Sequence, residues 1–262
     1  MRRQRNKSFM RAIVLLASGL IVGIMVAAGQ DSAPQTTKKM YVRTGNEGTI
    51  SGFVRFKGKA PGILRIDMTQ DAVCTEINPN ATVENAIITK GKLANVFIYV
   101  KDNDVLENYS FETPSSKAVL QHKGCRYLPH VLGIQTQQTL RVVNSDPTTH
   151  NTHPFPKVKS GNPEWNKSQP PGSEPIERRF DNPDLFIPFK DNQHPWEKAW
   201  VGVFAHPFFA VSGKDGSYKI EGLPPGDYTV VAWHEKFGEQ TIKVTVVPYE
   251  MKFLNFSFED SK

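Results

Sequence analysis

The sequence is poor in cysteine, with only Cys74 and Cys125 among 262 residues. Beyond its first thirty residues it has no apolar repeat of helical period, which excludes a helical body. It contains no Ser-His-Asp arrangement, glycine-rich phosphate loop or H-E-x-x-H pair, so an enzyme is the least supported class. A charged face of one sign is missing as well. The net charge of +6 comes from 32 Lys and Arg against 26 Asp and Glu, and five of the basic residues (Arg2, Arg3, Arg5, Lys7, Arg11) stand in the first eleven positions. The rest of the chain carries 27 against 26, which excludes a nucleic-acid surface as the source of the high isoelectric point. The short basic tract Lys157-Val158-Lys159 reads as solvated loop.

The leader is the one long apolar run. Ala12–Ala28 follows the basic residues and ends in the small residues Ala27, Ala28 and Gly29, the pattern of a signal peptide. As a helix the run would span roughly 25 Å, so an uncleaved membrane anchor is the alternative for residues 1–29. No cysteine follows it, which argues against a lipoprotein signal. Either way the body is expected outside the cytoplasm, periplasmic or secreted, or held at the membrane by this segment. In that oxidising setting Cys74 and Cys125 read first as a disulfide, with free or redox-active thiols as the alternative. Closing a loop of about 50 residues would stabilise the fold by roughly 4 kcal/mol in the chain-entropy model.

Residues 30–47 are polar and aperiodic, and read as a flexible tether. From Gly48 onward short β-branched and aromatic runs recur: TISGFVRFKG, ANVFIYVK, TLRVVN, AWVGVF, GDYTVVAW, TIKVTVV and FLNFSF. Nineteen glycines and nineteen prolines punctuate them, as a sandwich or barrel requires. Asp215-Gly216 is a hairpin signal, and Pro224-Pro225-Gly226 a rigid turn. The expected body is all-β. Between Pro154 and Phe189 the pattern lapses into a long connection, for which Trp165, Phe180 and Phe186 are the natural anchors.

Seven histidines are present. His150 and His153 follow the strand-like LRVVN, and His194 precedes AWVGV, so both groups sit where a strand meets a loop. Three imidazoles suit Cu, Zn, Ni or Fe; hydrogen-bonded loop histidines are the competing reading. His130 and His206 lie among prolines and apolar residues and are expected to be hydrogen-bonded in the core. His234 is expected to donate to Glu235 or a loop carbonyl, and His122 to be exposed.

The segments GTISGFVRFKG, LQHKGCRYLPHVLGI, LRVVNSDPTTHNTHPFPK and IPFKDNQHPWEKAWVGVFAHPFFAVSGKDGSYKIEGLPPGDYTVVAWHE together resemble a family of exported bacterial proteins. In these, a cupredoxin-like (plastocyanin- or methylamine-utilisation-like) part is fused to a carboxypeptidase-regulatory-like, transthyretin-like β-sandwich. The resemblance covers nearly all of residues 48–248. It implies a cupredoxin-like Greek-key sandwich at 84–207 joined to a transthyretin-like sandwich at 208–262. An N-terminal β segment at 48–83 would add strands from 48–68 to the latter. In the family, the position of His150 is a copper ligand, and a second segment reads Lys-Cys-Asp-x-His-x-Trp-Met. Here that segment runs from Lys190 to Glu197, so Asp191 takes the thiolate position and Glu197 the thioether position, while His194 keeps its imidazole. Blue copper requires two histidines, a cysteine thiolate and a weak axial sulfur. The departure therefore implies a binding or scaffold module derived from a copper protein and no blue-copper electron carrier. One alternative is a non-blue mononuclear Cu(II) or Zn site using His150, His153 and His194, with Asp191 and Glu197. Another is a carbohydrate-binding module, with a glycan as ligand. The expected partner is an envelope protein or a larger membrane-associated complex.

Overall fold

The computed structural model describes residues 38–101 and 103–260. The leader and residues 30–37 of the tether lie outside them. The body is nearly all β, as expected, and its strands form two sandwiches.

The strand Gly48–Lys57 organises the first. Its even-numbered residues from Gly48 to Phe56 are buried, the period of two that puts one face of a strand against a core. It pairs antiparallel with Ser217–Leu223 and parallel with Met251–Phe253 and Phe256–Glu259. The opposing sheet runs in the order Phe209–Val211, Phe97–Val100, Gly226–His234, Gly238–Val246. Ile50, Val54, Phe56, Ile98, Val100, Tyr228, Val230, Phe256 and Phe258 fill the space between.

The N-terminal segment thus completes the C-terminal sandwich, but the boundary at residue 84 is corrected. Lys92–Leu93 and Phe97–Val100 also pair into this sandwich, so 84–207 is not one body. All four residues of Phe97–Val100 are buried. A strand apolar on both faces carries no alternation to say which sheet it joins.

The second sandwich comprises one sheet in the order Ile176–Arg178, Leu140–Asn144, Ala118–His122, Tyr127–Leu128, and another in the order Lys167–Gln169, His150–Pro154, Asp184–Lys190, Lys198–Phe204, Val131–Gln135. Leu120, Ile134, Leu140, Val142, Phe180, Ile187, Phe189, Val201 and Val203 form its core. The stretch expected as a bare loop contributes three of these strands. Trp165 and Phe180 do anchor in this core, whereas Phe186 lies flat on Trp233 at 3.9 Å in the seam between the sandwiches. Two short helices, Ala72–Ile77 and Asp104–Glu107, were not expected; the first is capped by Asp71, whose carboxylate accepts from the Val73 and Cys74 amides.

Candidate metal centre

At one end of the second sandwich two strands and three loops deliver seven ionisable side chains to a single, largely buried cluster. His150 opens the strand His150–Pro154, and period-two alternation turns His150 and Thr152 inward. The same alternation turns His153 to the other face. There its Nε2 lies 2.7 Å from Glu164, and its ring is 4.0 Å from that of Phe155. His153 is therefore corrected: an odd separation along a strand cannot place it in one site with His150.

The loop Lys190–Lys198 supplies three members. Asp191 Oδ1 accepts from the amides of Gln193 at 2.7 Å and His194 at 3.1 Å, and the Glu197 amide donates to the His194 carbonyl at 2.8 Å. These bonds curl the loop so that Asp191, His194 and Glu197 point the same way. The fifth member was expected on the surface. His122 is fully buried at the end of Ala118–His122, and its ring stacks on that of His150 at 4.6 Å and 7°. The signal was present in the sequence: Leu120 is a core residue, and two positions on in a strand shares its face.

The three imidazoles are arranged alike. Each Nδ1 points into the cluster. That of His122 is 2.7 Å from Glu197 Oε1, that of His150 is 2.8 Å from Asp191 Oδ2, and that of His194 is 2.9 Å from the same oxygen. Each Nε2 points out of it to an oxygen. His122 reaches Thr152 Oγ1 at 2.9 Å, His150 reaches Asp146 Oδ2 at 3.1 Å, and His194 reaches Asp71 Oδ2 at 3.1 Å. The outer oxygens are themselves held. Asp146 accepts from the Gly124 and Cys125 amides, Asp71 caps its helix, and Thr152 bonds Gln169 at 3.2 Å. Glu197 Oε2 comes within 3.0 Å of His150 Nδ1 but is not in line for a hydrogen bond, and no other donor reaches it. His122, His150, Asp191 and Glu197 each offer a ligand atom, all within 4.8 Å of one another.

The electrostatics follow from this packing. Burial alone would lower the pKa of His150, but Asp146, Asp191 and Glu197 outweigh it and raise it to about 11. The same balance raises His194, through Asp191 and Asp71. Burial acts to raise the carboxylates of Asp191 and Asp146, yet hydrogen bonds from the histidines and backbone amides hold both below the usual range. In both His150 and His194 the neighbouring carboxylates thus favour the protonated ring.

Blue copper does not fit this centre. Asp191 and Glu197 stand in it where sulfur would be required, and Cys74 and Cys125 are joined in a disulfide with Cα atoms 5.5 Å apart. A sulfur-free divalent ion does fit: nitrogen and oxygen donors converge, and Glu197 Oε2 accepts no hydrogen bond.

The remaining histidines lie elsewhere. His130 is hydrogen-bonded to Glu235, which also accepts from the Trp200 indole at 2.8 Å, and His206 Nε2 lies 3.1 Å from the Val100 carbonyl. His234 is corrected. Its Nδ1 accepts from the Lys236 amide at 3.2 Å, and burial pushes its pKa down to about 4.

No family model matches the chain, and no curated protein does. Among solved structures it is similar to a copper-containing nitrite reductase (NirK) from Thermus scotoductus SA-01, with 19% identity over 34% of this chain and a TM-score of 0.30; the match spans only 22% of that enzyme. A purple cupredoxin from Nitrosopumilus maritimus is 20% identical over 33% of this chain and 98% of its own, with a TM-score of 0.28. An oxidised amicyanin mutant is 16% identical over 35% and 86%, with a TM-score of 0.30. These structural neighbours are cupredoxins, and the overlap is confined to about a third of this chain.

Proposed function

We propose that the centre binds one divalent metal ion in a closed, sulfur-free site. The ligands are drawn from His122, His150, His194, Asp191 and Glu197. The observation that carries this reading is the shared orientation of the imidazoles. Metal-bound histidines typically donate the distal N–H to a carboxylate or other acceptor, which fixes tautomer and ring orientation. Asp146, Asp71 and Thr152 occupy those three outer positions. The donor set favours Cu(II) or Zn(II) over Cu(I), because carboxylates are hard ligands. Bound there, the ion supplies positive charge to a cluster of four carboxylates and leaves the imidazoles neutral. Burial of every inner ligand argues for a binding and stabilising role over catalysis, since catalytic sites keep an open position.

One observation favours the scaffold alternative. Both ring nitrogens of His150 already face carboxylates, which a metal-free imidazolium satisfies by itself. Metal analysis and Cu(II) titration of the purified protein decide between the two. One equivalent, with the spectrum of a non-blue Cu(II) centre, supports the metal site; no stoichiometric metal with the fold intact leaves the scaffold. The same proposal takes the protein to be extracytoplasmic, periplasmic, secreted or anchored, a reading that the basic and apolar leader supports, with an envelope protein or membrane-associated complex as partner and a glycan as the alternative ligand.

A further inference from the structure

A cavity of about 240 Å³ lies where the two sandwiches meet. Arg126, His130, Trp196 and Lys198 reach it from the second sandwich and Glu235 from the first. Glu84 reaches it from the chain that joins Gly48–Lys57 to Lys92–Leu93. Small-molecule sites tend to form at such interfaces. None of the lining residues belongs to the metal centre, although the Trp196 ring is 5.2 Å from that of His194.

The lining is of two kinds. Ile66, Val83 and the Trp196 ring are apolar, and the Trp196 indole N–H is engaged by the Cys125 carbonyl at 3.1 Å. The other part is charged. Glu235 is fully engaged, since its carboxylate accepts from the Trp200 indole at 2.8 Å and pairs with His130. Glu84, Arg126 and Lys198 keep bonding capacity. Glu84 lies 3.3 Å from Arg126 and 4.0 Å from His130, and among the described residues no donor hydrogen-bonds to its carboxylate. Arg126 donates to the Thr82 carbonyl at 3.2 Å, which leaves most of its N–H groups without an acceptor among the described residues. The Lys198 ammonium rests over the Trp200 ring at 4.4 Å, with Glu235 4.0 Å away.

We propose that this cavity binds a free α-amino acid with an apolar side chain. Its carboxylate faces Arg126 and Lys198, its ammonium faces Glu84, and its side chain lies against Ile66, Val83 and Trp196. Charge decides the class. With His130 neutral, the lining carries two cations, Arg126 and Lys198, against two carboxylates, Glu84 and Glu235. A ligand of zero net charge keeps that balance. A simple anion would meet Glu84, and a simple cation would meet Arg126 and Lys198, in a setting that screens like charges less than water does. A neutral sugar would gain hydrogen bonds but answer neither charge. Size decides the length. The cavity is smaller than the roughly 300–1,000 Å³ of sites for drug-sized ligands, which suits a single residue over a peptide.

The test is calorimetric titration of the full protein with L-leucine and L-phenylalanine. Beside them stand N-acetyl-L-leucine, which lacks the ammonium, and L-leucinamide, which lacks the carboxylate. The expected result is saturable binding of one equivalent of at least one free amino acid. Both blocked forms should bind about tenfold more weakly or worse, because each leaves a charge of the cavity unanswered. Glu84→Gln and Arg126→Gln should weaken binding by a similar factor. If circular dichroism shows that these variants do not fold, Val83→Trp replaces them. That side chain lines the cavity yet is 37% exposed, so a larger group there fills the space from its rim and should block binding. Absence of saturable binding for both amino acids would overturn the proposal. So would equal affinity for free and blocked forms, or unchanged affinity in Val83→Trp. Binding of D-glucose in place of the amino acids would overturn it too, and would give the cavity to the glycan reading.

Discussion

At the scale of residues, His122 and His153 separate the structural reading from the one the sequence suggests. His122→Ala removes the partner of Glu197 Oε1 in a fully buried pair, so it should abolish stoichiometric metal binding. Without metal, it should destabilise the protein by about 2 kcal/mol, the usual cost of leaving a buried polar group without its hydrogen-bond partner. His153→Ala should leave the metal content unchanged, because its ring faces Glu164 and Phe155. Metal analysis paired with urea unfolding reads both, and equal loss in the two variants would sink the assignment. Of the clustered residues, His150 and His194 stood out where a strand meets a loop, while Asp191 and Glu197 were implied by the family resemblance alone. His122 was missed because the run Ala118–His122 was not read as a strand, so its place on the face of Leu120 went unused. His234 gives a residue-scale test away from the metal. Its folded pKa of about 4 lies below the ordinary value of 6.5 because burial disfavours the charged ring. The unfolded chain therefore takes up a proton between these values that the folded chain does not. The stability this residue contributes is present above pH 6.5 and is lost as pH falls toward 4, by about 2 kcal/mol at pH 5. In His234→Gln that share of the pH dependence should vanish from unfolding curves taken at pH 7 and pH 5; an unchanged difference would refute it.

At the scale of elements, the strands with clear alternation were legible and the others were not. Gly48–Lys57, Gly226–His234 and Gly238–Val246 match their β-branched runs closely. Lys167–Gln169 and Asp184–Lys190 were missed. The first is three polar residues, and the second contains Pro188 and a register shift between Asp184 and Ile187, both of which disguise a strand. The six-residue helix Ala72–Ile77 was missed because one and a half turns offer too few positions to show a period. Its capping aspartate turns out to serve the centre. A structural reason for Gly52 appears only once the strands are placed. A Cβ built there would lie 1.8 Å from the Leu254 carbonyl oxygen, where the chain crosses between Met251–Phe253 and Phe256–Glu259. Gly52→Ala should push that crossing outward and strain the bond from the Phe53 amide to Asn255 Oδ1, now 2.9 Å. The expected loss is about 3 kcal/mol, in the range for overpacking a tight contact. Thermal unfolding measures it, and a melting temperature within a degree or so of wild type would count against the close approach.

At the scale of the whole molecule, the chain order and the spatial order disagree, and this governs how the protein can be divided. Gly48–Lys57 lies near the start of the described chain, yet its principal partners lie between residues 217 and 259. Phe97–Val100 likewise depends on Phe209–Val211 and Gly226–His234. Between these early strands sits Cys74, tied to Cys125 at the back of the metal centre. A cut at residue 207, the boundary the sequence suggested, would therefore do more than remove one module. Ile50, Val54, Phe56, Ile98 and Val100 would lose the far wall of their core. At about 25 cal/mol per Å² of apolar surface, uncovering several large side chains exceeds the few kcal/mol by which a domain of this size is stable. The strands from 118 to 204 keep their own core and all their mutual pairings. A chain ending at Pro207 is thus expected to yield rapidly to protease between residues 48 and 100 while 118–204 stays protected. Its centre should survive only as well as the Cys74–Cys125 bond holds Asp71 against His194. Limited proteolysis with mass mapping reads this directly. Protection of 48–57 at wild-type level in the shortened chain would mean that the early strands do not need their late partners, and the two-sandwich division drawn from sheet pairing would fall.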